Sequence, residues 1–157
     1  MKKKIALLLS TLFYSGFFPK APGTFGSFVS LFIIAIIIYY FGFIGLSLLI
    51  IISFILAMFS VTETLKYTKH DPSFIVIDEL IGQAVTFMFV SNFLKNNNSL
   101  IIYLFGFVFF RLFDVLKTFP VCYADKKIRN AFGVILDDIL AGIYASICLL
   151  LTKMILF

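Results

Sequence analysis

The chain has 157 residues, about one domain, and 62 % of them are hydrophobic, against roughly 45 to 50 % in soluble domains. Thirteen cations against eight acids leave a formal charge of +5, but the cations are dispersed among apolar runs with no basic stripe interleaved with stacking aromatics. That pattern excludes a nucleic-acid partner and points to membrane lipid, while two cysteines, Cys122 and Cys148, are too few for a disulfide framework and lack metal-ligand spacing.

Lys2, Lys3 and Lys4 followed by Ile5 to Phe18 have the charged and apolar regions of a signal peptide, yet no small-x-small cleavage site follows, only Pro19-Lys20-Ala21-Pro22. Fourteen residues are also too few to span a bilayer, which takes about 20, so an interfacial or re-entrant helix is expected. In Pro19 to Ser27 the prolines forbid a continuous helix, and Thr24 or Ser27 is placed to cap the helix that starts there. The alternative for this stretch is an anion site, because exposed N–H groups at a helix N-terminus attract phosphate. It is not a Walker loop, since Gly-Lys-Ser/Thr and a preceding strand are both missing.

Phe28 to Ser60 carries no charge over thirty-three residues. As one helix it would be about 50 Å long, against a hydrocarbon core of about 30 Å. Gly42 and Gly45 offer a break, so a hairpin of two short or tilted helices is expected. The polar segment Val61 to Pro72 follows, with His70 read as a solvated loop residue. Ile75 to Leu94, Ser99 to Lys117 and Gly133 to Thr152 each reach spanning length only if their acids are counted inside the helix, and in each the acids fall at one end. Asn96-Asn97-Asn98 is a turn between the first two.

Alternating direction brings Asp78-Glu79, Asp114 and Asp137-Asp138 to one side of the membrane. The N-terminus, the Lys20 segment and the loops 61–74 and 115–131 on that side hold ten cations and only Lys95 and Lys153 fall opposite, which makes the acid side cytoplasmic by the positive-inside rule. The expected architecture is therefore all-α over residues 1–157, a single-domain, multi-helix membrane bundle with an acidic site at the cytoplasmic helix ends. It has five crossings, with Phe157 outside. A bundle whose short helices pack on one another rather than on lipid is the alternative.

Acids inside apolar segments are costly unless they meet cations or metal, so Asp78, Glu79, Asp114, Asp137 and Asp138 read as one functional site. Glu79, Gly82, Gln83 and Thr86 form one stripe of polar and small residues, and Asp138, Ala141, Gly142 and Ala145 form another. Such stripes let membrane helices approach closely and turn the carboxylates inward. Arg111, Asp114 and Lys117 recur every three residues and lie along one side of a helix. Clustered carboxylates with no cysteine or histidine suit a hard cation such as Mg²⁺, and Arg111 and Lys117 suit phosphate. A phosphate-handling membrane enzyme is the simplest inference; ion pairs that only fix helix register are the structural alternative.

Four blocks, PKAPGTFGS (Pro19 to Ser27), DPSFIVIDELIG (Asp71 to Gly82), FRLFDVLKTFP (Phe110 to Pro120) and GVILDDILAGIY (Gly133 to Tyr144), resemble in order and spacing the phosphatidylglycerophosphatase A family of bacterial lipid phosphatases. The family usually shows Lys-Pro-x-Pro where this chain has Lys117-Thr118-Phe119-Pro120, and loss of the first proline is expected to let the helix run slightly further. The resemblance implies Mg²⁺-dependent hydrolysis of phosphatidylglycerophosphate to phosphatidylglycerol and inorganic phosphate at the bacterial inner membrane. By motif position it implies Glu79, Asp114 and Asp138 as metal ligands, with Asp78 and Asp137 as outer partners or general base. It also implies Arg111 and Lys117 as phosphate-binding residues, near the turn at Pro22, Gly23 and Thr24.

A CDP-alcohol phosphatidyltransferase needs an Asp-Gly-x-x-Ala-Arg pattern that does not occur here. A cation or proton transporter with intramembrane carboxylates is the alternative from another class, but it calls for polar groups through the whole membrane depth.

Overall fold

The computed structural model describes residues 2–68, 72–97, 99–119, 121–123, 128 and 130–156, and among them there is no strand. Six helices carry the fold: α1 (Lys2–Ser10), α2 (Pro22–Leu65), α3 (Ile77–Phe87), α4 (Ser91–Asn97), α5 (Leu100–Leu116) and α6 (Ala131–Leu156). His70, Asn98, Pro120 and Phe157, to which the sequence assigned a loop residue, part of a turn, a motif proline and an outward terminus, lie outside the described residues.

The apolar stretch expected as one helix to Phe18 stops at Ser10. Thr11 explains the stop, because its hydroxyl donates to the Leu7 carbonyl (2.7 Å) and accepts the Tyr14 N–H (3.0 Å), a local alternative to continued helix. Leu12, Phe13 and Tyr14 then turn left-handed, and a short 3₁₀ turn over Ser15–Phe17 redirects the chain.

α2 begins with Pro22 at its first turn after a left-handed Ala21, with no side-chain cap. Thr24 and Ser27, the two expected caps, are thus left for other work. The helix reverses at Gly42, where φ is 60° and ψ is −139°. Three contacts show the reversal. Thr64 in the last turn meets the Ser10 hydroxyl at 3.2 Å, the Ser10 carbonyl accepts the Val76 N–H at 2.9 Å, and a Cβ on Gly26 in the second turn would lie 2.6 Å from Val76. Both ends of α2 therefore reach the same place, and the expected hairpin is present with limbs 22–41 and 43–65. At its tip the Phe43 N–H donates to Asn92 Oδ1 (3.2 Å).

The stretch Ile75 to Leu94 is not the single helix expected. α3 gives way to a 3₁₀ turn over Met88–Val90 before α4 resumes. Ten of the eleven residues of α3 are buried, so it is a core helix surrounded by its neighbours rather than a lipid-facing rod. Its closest neighbour is α6: a Cβ on Gly82 would lie 2.4 Å from the Asp138 carbonyl, and one on Gly142 would lie 2.2 Å from the Gly82 carbonyl. The two small-residue stripes thus meet backbone to backbone. Below this crossing, Ile34, Ile38, Leu46, Leu80, Phe87 and Ile102 form the main apolar core.

Two helices, α2 and α6, are long and apolar enough to cross a membrane. The exterior agrees, since Phe32, Ile44, Ile55, Leu104 and Ile155 are each more than half exposed, an apolar surface far beyond scattered single residues. Helix length marks these two; the expected five crossings and the cytoplasmic orientation go beyond it.

Candidate active site

Three helix ends converge. Asp78 and Glu79 occupy the first turn of α3, where unpaired backbone N–H groups favour negative charge. Asp78 Oδ1 accepts the Glu79 N–H at 3.1 Å. α6 starts from Asn130, whose side-chain oxygen accepts the Gly133 N–H at 3.0 Å, and its second turn carries Asp137 and Asp138. Asp137 Oδ1 accepts the Asp138 N–H at 3.1 Å, the same local bond as in α3. The last turns of α5 supply Arg111 and Asp114, and Lys117 stands just beyond.

All five expected carboxylates line one cavity of about 230 Å³, together with Lys117, Pro22, Gly23, Ser73, Ile75 and Val134. Asp78, Glu79, Asp137 and Asp138 are buried; the inward-facing stripes required this of Glu79 and Asp138. Arg111 and Lys117 both reach acids of the cavity. Arg111 Nη1 lies 2.8 Å from Asp114 Oδ2 and 3.3 Å from Glu79 Oε1, and Lys117 Nζ lies 3.1 Å from Asp137 Oδ2. Among the described residues the carboxylate of Asp138, only 4 % exposed, has no hydrogen-bond or ion-pair partner.

Lys117 departs from the expected helical stripe. α5 stops at Leu116, and Lys117 adopts a left-handed conformation (φ 44°, ψ 51°) with its N–H on the Phe113 carbonyl, a C-terminal cap rather than a further helical residue. The expected lengthening of the helix through Thr118 is not found. The turn has a use: it swings Lys117 away from Arg111 and across to Asp137 on α6.

Gly23 lines the cavity, and its lack of a side chain is required there, since a Cβ would fall 2.4 Å from Glu79 Oε1. Thr24 is exposed and faces an adjoining groove along α5, which Arg111 also lines. The sequence reading missed Ser27, which is fully buried. Its hydroxyl donates to Glu79 Oε2 and accepts from Arg111 Nη1 (3.3 Å), tying the start of α2 to α3 and α5. One signal was available, for Ser27 stands four residues after Gly23 on the same helix face. Gln83, one turn below Glu79, is also fully buried, and neither polar atom of its amide has a partner among the described residues.

Among the described residues no three acidic, histidine or cysteine side chains form a preformed metal cage. The donors are instead all oxygen and spread around the cavity wall. That arrangement fits a hard cation that takes one or two protein carboxylates, keeps water and shares its remaining ligands with a substrate phosphate.

Residues 8–153 match the family described as phosphatidylglycerophosphatase A. A Haemophilus influenzae protein named phosphatidylglycerophosphatase A is 34 % identical over 154 residues, covering 92 % of this chain and 90 % of its own length. An Escherichia coli K12 protein of the same name is 30 % identical over 145 residues, covering 88 % and 78 %. A Bacteroides thetaiotaomicron protein, provisionally named phosphatidylinositol-3-phosphatase, is 27 % identical over 159 residues, covering 97 % and 96 %. No solved structure matches the chain.

Proposed function

Because the chain belongs to the phosphatidylglycerophosphatase A family and is thereby a phosphatase, we propose that it hydrolyses phosphatidylglycerophosphate to phosphatidylglycerol and inorganic phosphate, with Mg²⁺, at the cytoplasmic face of the bacterial inner membrane. One observation carries the reading: five carboxylates and Lys117 line a single 230 Å³ cavity at one end of an apolar bundle, and Arg111 is paired to two of those acids.

The substrate brings a doubly charged phosphomonoester to a lipid surface. Arg111 and Lys117 are the groups of opposite charge, and both are already anchored, so little side-chain freedom is lost when phosphate binds. Ser27 holds Glu79 and Arg111 in fixed relation, which keeps the guanidinium from collapsing onto the carboxylates alone. Glu79, Asp114 and Asp138 are the proposed Mg²⁺ ligands, and Asp138, with no partner for its carboxylate among the described residues, is the most available of the three. When bound, Mg²⁺ supplies charge neutralisation for the transferring phosphoryl group. Asp78 and Asp137 are the two places where the chain can hold the proton released as a water oxygen bonds to phosphorus. The same proton then goes to the glycerol oxygen as its bond to phosphorus breaks.

The transporter alternative is not favoured, because the acids gather at one end of the bundle and the groove at the opposite tip is lined by apolar side chains and Lys95. Phosphate release by the purified protein in detergent tests the proposal. Release from phosphatidylglycerophosphate that stops on chelation and returns with Mg²⁺ is the expected result. Release that is unchanged by chelator removes the metal from the proposal, and release from phosphatidylinositol 3-phosphate in preference to phosphatidylglycerophosphate moves the substrate assignment to that lipid.

A further inference from the structure

Beside the acid cavity, an apolar groove of about 380 Å³ runs along the outer face of α5. Thr24 and Arg111 stand at it as its polar members, and Phe107, Val108, Leu112 and Leu116 supply its apolar surface. The same guanidinium that reaches Glu79 and Asp114 thus borders the groove, and a Cβ on Gly23 would lie 3.5 Å from Arg111 Nη2. Gly23 lines the acid cavity and Thr24, the next residue of α2, lines the groove. Further along the same seam between the first limb of α2 and α5 lies a second apolar hollow of about 290 Å³, bounded by Phe28, Phe32, Leu100 and Leu104 among others. The edge-to-face pair Phe28–Phe107, with ring centroids 6.4 Å apart, stands between the two hollows.

The dimensions select an occupant. From Arg111 back to Leu100 along α5 is about 16 Å at about 1.5 Å per residue, close to half of the roughly 30 Å hydrocarbon core. The track is therefore one leaflet deep, cationic and hydroxylated at its head and apolar below. That is the shape and polarity of a phospholipid acyl chain whose phosphate is held at the Arg111 end.

We propose that the seam between residues 22–35 of α2 and α5 is an acyl-chain site, which seats one fatty chain of the lipid substrate so that its phosphomonoester enters the acid cavity past Gly23. The proposal rests on the lipid-phosphatase reading above and adds where the tail lies. It makes the enzyme selective for a phosphomonoester attached to a chain, since a free headgroup gains nothing from the groove.

Two measurements test it. In the first, Val108→Trp and Leu104→Trp fill the upper and lower parts of the seam, and Ile147→Trp places the same bulk on an exposed apolar position of α6 outside it. The seam variants should raise the KM for phosphatidylglycerophosphate in mixed micelles about tenfold with kcat nearly unchanged, while Ile147→Trp matches the wild type. Equal KM values in all three variants would overturn the proposal. The second measurement does not need turnover: phosphatidic acid carrying a diazirine on one acyl chain is photolysed with the wild-type protein, and the labelled peptides are mapped. Labelling concentrated on residues 24–35 and 100–116, and lost in Val108→Trp, supports the site. Labelling spread equally over the outer face of α6 identifies only surrounding bilayer lipid and overturns it. If the protein releases no phosphate from any lipid but shows the concentrated labelling, the phosphatase reading fails while the acyl-chain site stands.

Discussion

The two ends of this bundle are built on opposite rules. At the acid end, three helix termini and the start of α2 meet through ion pairs and a bridging hydroxyl, and four of the five carboxylates are buried. At the other end the α2 hairpin turns at Gly42, where the side-chain oxygen of Asn92 holds the Phe43 N–H beside an apolar groove lined by Ile37, Tyr40, Leu48 and Lys95. Apolar packing suffices to fold the far end, so the polar groups concentrated at the near end answer a different need. Buried charge seldom adds stability over a well-packed apolar alternative. Its presence at one end alone is the mark of chemistry.

That contrast predicts a ranking of substitutions. The largest loss belongs to Asp114→Asn, which should cut phosphate release about a thousandfold while the protein still folds into membranes. Arg111→Met removes the cation from between Glu79 and Asp114 and leaves both carboxylates without it. It should lower kcat/KM about a hundredfold and destabilise the protein by about 3 kcal/mol in denaturant unfolding. Gly142→Ala drives a methyl group into the Gly82 carbonyl, so about 2 kcal/mol of stability should be lost, with release falling only as the folded fraction falls. Ser27→Ala unties Glu79 from Arg111 and should reduce kcat/KM about tenfold, near the lower end of what one hydrogen bond to a charged group contributes. Asn92→Ala, at the far end, should cost at most about 1 kcal/mol and leave release unchanged.

The sequence made the near end legible because charge is conspicuous in an apolar chain. Asp78, Glu79, Asp114, Asp137 and Asp138 could be picked out before any fold was known, and Gly82 and Gly142 marked where two helices touch. The hairpin was legible too, since an uncharged run longer than a bilayer is thick must turn, and Gly42 was one of two glycines placed to allow it. Ser27 was only faintly legible: it stands one turn after Gly23 on the same helix face, but a hydroxyl in a serine-bearing apolar helix becomes a site residue only when Glu79 is set against it. The break between α3 and α4 carries neither proline nor glycine at Met88–Val90, so periodicity ran straight through it. Lys117 was assigned to the right cavity by the wrong geometry, for a left-handed cap on a lysine depends on the Phe113 carbonyl and the approach of α6, which spacing does not encode.

The most direct test sets one substitution from each end side by side. Phosphate release from phosphatidylglycerophosphate is measured for Asp138→Asn and Asn92→Ala, both shown to be folded by the same unfolding assay as the wild type. The account predicts that Asp138→Asn is nearly silent and Asn92→Ala is indistinguishable from wild type. Full activity in Asp138→Asn would contradict it, because a buried carboxylate lining the cavity would then have no part in the reaction.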